Sequence, residues 1–525
     1  MRYLYSILKA DYLQRTRSYA FLITLAVTIY VAYSFVPEPT ASYTTLNMVG
    51  YKPIYNAAWV GYVSAIMTSV MLSLYGYFLV NSGIKKDIET EVGLIIATTP
   101  ITNFGYLLSK MLSNFIVLLT ITGCTFVVSI GMFFLRTIDQ SFIFSNFILP
   151  YLFFPIPAVF VISGLAVAGE VFFRKHVWIQ YLVFFFLFSM IMTNTQNQSN
   201  NSLTYVIDPF GLKFVLTSIR ETVDTQFHTR VDDISFGFIF SKHKKPFQTF
   251  TWDGVHWTSI FLLSRLVWMG LSLGLVYVSS FFFHRFDFRQ VAAKKKMFSH
   301  LPSTDSTDIV PVTINRASLP ALVTNYSIIQ FIKTELLLLL RKGNRWLWLL
   351  IGGLWISMLF VPLEMSHSIL LPIIWFLQVN RWSDLATKEK TNRLHYFTYS
   401  SYKPLQRMLP AQMLAGIILA ISLALPVIGR YLMAKDVYAI STILVGAVLI
   451  VLLSVCLGIV SGGKKLFEIL FFVLTYAIIN KVPMLDYLGA VAHDNLPLYT
   501  GHLLVISFVL GLTSFLVRSY QTRHL

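Results

Sequence analysis

The thirty residues from Tyr106 to Leu135 hold a single charged side chain, Lys110. A helix needs about 20 apolar residues to cross a bilayer, and this run exceeds that. Just upstream lies a second run, Ala57–Val80, with no charge at all. Further runs place spans near 19–36, 58–81, 107–135, 147–171, 177–193 and 258–284. A second set falls near 346–363, 367–380, 408–430, 437–460, 466–481 and 500–518, of which 367–380 is the shortest. Continuous apolar runs of this length spell helices, because hydrocarbon leaves no water to satisfy an open backbone. The expected fold is therefore all-α and polytopic, with about twelve transmembrane helices. Composition agrees: 12% of residues are charged, against about a quarter in soluble domains.

The net charge of +17 does not point to nucleic acid, since it is dispersed over short loops rather than gathered on one face. In a polytopic protein such an excess records orientation. With the N-terminus inside, the cytoplasmic segments take most of the 41 Lys and Arg. Half of the remainder falls in one long outside loop, 194–257, where the rule does not bind. An even span count then puts both termini in the cytoplasm. The opening M-R-Y-L-Y-S-I-L-K-A-D lacks a cleavage signal. Its Leu4, Ile7, Leu8 and Leu13 fall near one helical face, as in an interfacial helix. The outside loop opens on a polar spacer and continues into the aromatic-rich 236–252, a small external cap.

The chain repeats itself. Residues 331–345, F-I-K-T-E-L-L-L-L-L-R-K-G-N-R, resemble the opening I-L-K-A-D-Y-L-Q-R-T-R. Each half then runs span, outside loop, span, charged inside handle, and four more spans. The first handle is Lys85–Lys110; the second lies at 388–414. Six spans per half keep the halves parallel, with a cavity expected between them. The divisions are 1–290, a Ser/Thr/Asp/Pro-rich cytoplasmic linker at 291–327, and 328–525.

Catalytic signatures are missing from the sequence. It carries no P-loop, no H-E-x-x-H and no G-x-S-x-G. Its 11 His are scattered, and two cysteines, Cys124 and Cys456, read as thiols in apolar runs. Glu170 and Glu468 sit near span ends beside Arg174-Lys175 and Lys464-Lys465, so local ion pairs are expected. Lys110 reads as a positive-inside anchor.

Within the first handle, Glu91, Gly93, Ile95, Thr98, Thr99, Pro100, Ile101 and Thr102 spell E-x-G-x-I-x-x-T-T-P-I-T, with Lys110 following. This segment resembles the permease subunits of ABC-2-type ABC exporters. The resemblance implies an elbow helix before the first span and a coupling helix between the second and third. Glu91, Gly93, Leu94, Ile95, Thr99 and Pro100 would form the docking element, with Glu91 pairing with a base of the ATPase. The second coupling element would comprise Thr391, Arg393, Leu394 and Phe397. There the motif degrades: Arg393, Ser400 and Pro410 stand where Gly93, Pro100 and Lys110 do. Changes in the first handle should therefore uncouple transport more than changes in the second.

What the resemblance implies is two permeases fused in one chain, in the bacterial cytoplasmic membrane. The chain would not be an enzyme and would bind no cofactor. ATP and Mg would belong to two copies of a separate ATPase subunit. A hydrophobic or amphipathic substrate would cross, with membrane lipid and a periplasmic or accessory subunit as further partners. Two other classes stay open. One is an ATP-independent transporter or channel; the other is a membrane scaffold or enzyme working through 194–257.

Overall fold

The computed structural model describes residues 2–38, 41, 43–48, 50–90, 92–137, 141–174, 177–196, 207–228, 234–240, 248–283, 327–342, 345–491 and 496–523. The linker expected at 291–327 lies outside these, apart from Ser327, whose hydroxyl accepts from the Ile329 amide and caps the next helix.

In chain order the elements are α1 (Arg2–Thr16), α2 (Tyr19–Tyr33), β1 (Tyr43–Met48), β2 (Tyr51–Pro53) and α3 (Ala57–Val80). Next come α4 (Gly83–Glu89), α5 (Val92–Ala97), α6 (Asn103–Arg136), α7 (Ser145–Phe153), α8 (Pro155–Phe172) and α9 (Val177–Gln196). Then α10 (Leu212–Phe227), β3 (Ile234–Phe240), β4 (Gln248–Phe250) and α11 (Ser259–Phe282) complete the region before the linker. After it lie α12 (Ile328–Arg341), α13 (Arg345–Phe360), α14 (Leu363–Phe376) and α15 (Val379–Trp382). The chain ends with α16 (Lys388–Thr391), α17 (His395–Tyr399), α18 (Pro404–Met433), α19 (Val437–Ser461), α20 (Lys465–Ile479) and α21 (Leu496–Arg523).

The fold is that of a predominantly helical, multi-pass membrane protein. Among the described residues, 8 helices are long and apolar enough to cross a bilayer, or 9 if the bent pair α1–α2 forms one span. The segment expected at 367–380 is a broken helix: α14 holds a π-turn at Ser366–Leu370, and short turns carry the chain on to Trp382.

Central to the packing is α3, buried along nearly its whole length. Small residues let its neighbours approach, as is usual between helices in lipid. A Cβ on Gly61 would stand 2.1 Å from the Asn146 carbonyl oxygen, and one on Gly76 would meet Leu118 at 3.0 Å. By contrast α21 exposes Leu504, Val505, Phe508 and Leu516, the face of a helix against lipid.

One end carries the departure from an all-helical chain, a four-stranded sheet ordered β3-β1-β2-β4. Antiparallel β1 and β3 run from Tyr43↔Phe240 to Met48↔Ile234, while β2 and β4 are parallel. The short loop after α2 and the long loop before α11 are thus one unit. Trp59 seats it on α3, with ring centroids 5.9 Å from Phe250 and 6.0 Å from Trp252.

Candidate functional site

The end opposite the sheet gathers both handles. In the first, α3 stops and Ser82 turns the chain in the left-handed region, at φ 95°. The next helix, α4, opens with free amides, as every helix does. Here Glu170, from the end of α8, takes them all. Its carboxylate accepts from the Ser82, Gly83, Ile84 and Lys85 amides at 2.7, 2.9, 2.8 and 3.2 Å. These partners lie 85–88 residues away on the handle; Lys175, one of the two bases expected to pair with Glu170, falls outside the described residues. Gly83 leaves room for Arg15, whose guanidinium nitrogen would lie 2.6 Å from a Cβ there. That arginine donates to Asn114 Oδ1 at 2.6 Å and to the Val80 carbonyl at 3.2 Å.

Lys110, expected as a positive-inside anchor, is 2% exposed, with its ammonium 2.8 Å from Asp11 and 2.7 Å from Asp87. Tyr106 donates to Asp87 at 2.7 Å. One buried cation thus joins α1, α4 and α6. Two carboxylates compensate it, the condition under which a buried charge is tolerated.

From this base α5 projects. Thr98 and Thr99 close it by donating to the Ile95 and Ile96 carbonyls at 2.8 and 2.6 Å. Ile96 and Ala97 pack inward with Tyr106, Leu107 and Met111. On the other face Val92 and Ile95, one turn apart, point outward, Ile95 with 68% of its surface free. Gly93 is buried, Thr99 half-buried and Pro100 exposed. Leu94 lies within α5, and Glu91 falls outside the described residues.

The second handle has the same plan with other charges. Lys388 pairs with Glu335 of α12, so the acid again comes from the helix equivalent to α1, as Asp11 does for Lys110. Asp384 lies between Lys342 and Lys464. Burial alone would raise its carboxyl, but the two lysines hold it below its ordinary range. Glu389 is 4% exposed and accepts from Gln412 Nε2 at 2.7 Å, while burial pushes its carboxyl up. Arg518 of α21 ties the segment down through the Ala386 carbonyl, at 2.7 Å, and the Tyr399 hydroxyl.

Above this base Leu394, the N-cap of α17, and Phe397 within it are exposed three residues apart, Phe397 by 81%. Thr391 ends α16 with its hydroxyl on the Thr387 carbonyl at 2.9 Å. Arg393 adopts φ 58°, the conformation a glycine would take without strain.

Between the handle bases lies the contact of the two regions flanking the linker. The cavity expected there is filled with rings. Phe78 meets Phe472 with centroids 4.0 Å apart, and Phe185 lies 5.8 Å from Phe472 and 6.5 Å from Phe376. Beside them Tyr77 stacks on Phe184 at 3.8 Å. Toward the handles, Glu468 does make the expected local pair, with Lys465 at 3.1 Å. It also accepts from Tyr181 at 2.9 Å.

Two further residues escaped the sequence reading. Asp208 accepts from the amides two and five residues on, Phe210 and Lys213, each at 2.8 Å. Asp486 does the same with Leu488 at 2.9 Å and Val491 at 2.8 Å. Gly211 and Gly489, each three residues after its Asp, take φ 83° and 70°. The signal was a twice-written D-x-x-G between the fifth and sixth apolar runs of each half.

Among the described residues no group of His, Cys, Asp or Glu is arranged to hold a metal. No family model, curated protein or solved structure matches the chain.

Proposed function

We propose that this chain is the permease of an ATP-driven exporter of the ABC-2 type, two six-span halves fused and coupled to separate ATPase subunits. One observation carries this reading. Two short helices, α5 and α17, project apolar i, i+3 pairs from the same end of the molecule, each on a base of buried ion pairs. Soluble surfaces rarely offer rings and branched aliphatics so openly unless a partner covers them. The base ties each projection to a span-flanking helix, so force applied to the projection reaches the bundle.

Support for two halves comes from the recurring parts. Both α1 on α6 and α12 on α18 pack together, and the Asp208 and Asp486 turns share acceptance from the amides two and five residues on. Adding α13, α14 and α20 to the nine longer spans gives twelve. The handle end is then cytoplasmic, with both termini there, in a bacterial cytoplasmic membrane. The ring-filled interface is the closed state of the path, and it suits a hydrophobic or amphipathic substrate. Catalysis belongs to the partner: the permease contributes no nucleotide ligand.

The test is affinity purification of the full chain from native membranes in mild detergent. A P-loop ATPase should co-purify with the wild type and be lost with Ile95→Asp. Its absence from the wild-type preparation would sink the proposal.

A further inference from the structure

The corner where α12 gives way to α13 holds more positive charge than its described neighbours neutralise. Lys342 follows α12 and shares one carboxylate, Asp384, with Lys464 at the start of α20. Beside it Arg381 is 2% exposed. Its Nε donates to the Lys342 carbonyl at 2.8 Å and its Nη1 to the Gln378 side-chain oxygen. The Trp348 ring covers it, with the centroid 4.3 Å from the guanidinium carbon. Among the described residues no carboxylate pairs with Arg381, and its Nη2 has no acceptor. The other acids nearby are spent: Glu468 pairs with Lys465 and Glu335 with Lys388. Two more cations, Arg341 and Arg345, flank the corner, both exposed and without an ion pair among the described residues.

A surplus of cations by itself records only orientation. The apolar surface next to this one narrows what it can bind. Trp346 follows Arg345 and is 71% exposed. Leu337, Leu338 and Leu340 of α12 and Leu349 of α13 are exposed as well. A small soluble anion has no use for that skirt, and a neutral lipid has none for the bases. A tryptophan ring favours the headgroup level of a bilayer, where one side is wet and the other apolar. A ligand that is anionic at one end and apolar at the other satisfies both parts.

We infer that the α12–α13 corner binds the headgroup of an anionic phospholipid. The phosphodiester lies against Arg341, Arg345 and the exposed part of Lys342, since guanidinium forks match phosphate oxygens. The acyl chains run along Leu337 and Leu349. The bound charge also acts on Arg381 from close by, offsetting a buried cation that has no counter-ion. Because α12 carries Glu335, the partner of Lys388, a lipid seated here steadies the helix on which the second handle rests. The site requires only that the chain sit in a membrane, so it does not depend on the exporter reading.

The test is native mass spectrometry of the full-length protein in mild detergent. It is offered phosphatidylglycerol and phosphatidylcholine with identical acyl chains in equal amounts. The wild type should retain phosphatidylglycerol in preference. Arg341→Gln with Arg345→Gln should lower that retention about tenfold, while Arg341→Lys with Arg345→Lys should keep most of it. Lys9→Gln with Arg17→Gln removes the same charge from exposed positions on and just after α1 and should leave retention unchanged. Circular dichroism of each variant without lipid should match the wild type. Equal retention of the two lipids by the wild type overturns the inference. An equal loss in the Lys9/Arg17 variant does so too, because net charge and not a site would then govern binding. So does full displacement of phosphatidylglycerol by millimolar inorganic phosphate, which would assign the cations to a free anion.

Discussion

Tyr181 of α9 donates a 2.9 Å hydrogen bond to Glu468 of α20, 287 residues further along the chain. Lys465 stands 3.1 Å from the same carboxylate. This three-residue contact bridges the regions on either side of the linker at the handle end. Above it rings continue the bridge, from Phe78–Phe472 to Phe188–Tyr476. Any separation of the two regions at this end must break the hydrogen bond first.

Tyr181→Phe keeps the ring and removes the donor. A hydrogen bond to a charged group contributes about 1.5–3 kcal/mol, so the purified protein should melt earlier by an amount in that range. Because Lys465 still pairs with the carboxylate, Glu468→Gln in the Tyr181→Phe background should cost less than Glu468→Gln alone. A thermal-melting double-mutant cycle measures the difference; strict additivity would mean the two groups do not interact.

Lys110 serves two carboxylates at once. Lys110→Met leaves half-buried Asp11 and buried Asp87 without their contacting cation, Arg15 and Lys86 acting on them only at longer range, a change expected to cost up to about 3–5 kcal/mol. Adding Asp11→Asn and Asp87→Asn removes the uncompensated charge, so the triple variant should recover most of that loss. Denaturation of the three proteins side by side decides it. A triple variant no better than Lys110→Met would show that the lysine's packing, not its charge, matters.

The second handle predicts opposing pH effects. Asp384 is held below its ordinary range by Lys342 and Lys464. Its contribution is present above the unfolded carboxylate value and is lost as pH falls through the lowered one. Glu389 is raised by burial. The folded state therefore holds its proton more tightly than the unfolded chain does. Stability from this group is present below the unfolded value and declines as pH rises through the raised one. Glu389→Gln should accordingly stabilise the protein at neutral pH and flatten the decline above the ordinary carboxylate range. Melting curves taken from pH 4 to 8 would reveal the effect; identical slopes for variant and wild type would refute it.

The long helices were legible from sequence because lipid demands continuous apolar runs, and Ala57–Val80 and Tyr106–Leu135 could be little else. Thr98-Thr99-Pro100 likewise announced the end of α5. The junctions were not legible in the same way. Glu170 reaches back to Ser82 and Lys110 back to Asp11, and neither pairing has a local spacing to betray it. Neighbouring bases drew the eye from the handle amides as partners for Glu170. Pairing of β1 with β3 joins residues nearly 200 apart, a distance over which no hydrophobic period carries information. The D-x-x-G turns were readable and were passed over, because a glycine in a loop draws no notice until its twin is found.

Glu170 offers the sharpest test of how the first handle is held. Its two oxygens serve four amides, and a neutral amide side chain has only one oxygen to offer. Glu170→Gln should therefore free about half of these bonds and cost about 3 kcal/mol, given the strength of bonds to charged acceptors. Amides 82–85 should then exchange with deuterium faster than in the wild type, while those of α3 stay protected. Glu170→Asp keeps the charge but is shorter by one methylene, so it should restore part of the protection. If the amides of 82–85 exchange equally fast in wild type and Glu170→Gln, the carboxylate does not hold the handle. The tie from α8 to α4 would then have to run through the apolar cluster that Ile84 and Ile88 share with Val167 and Val171.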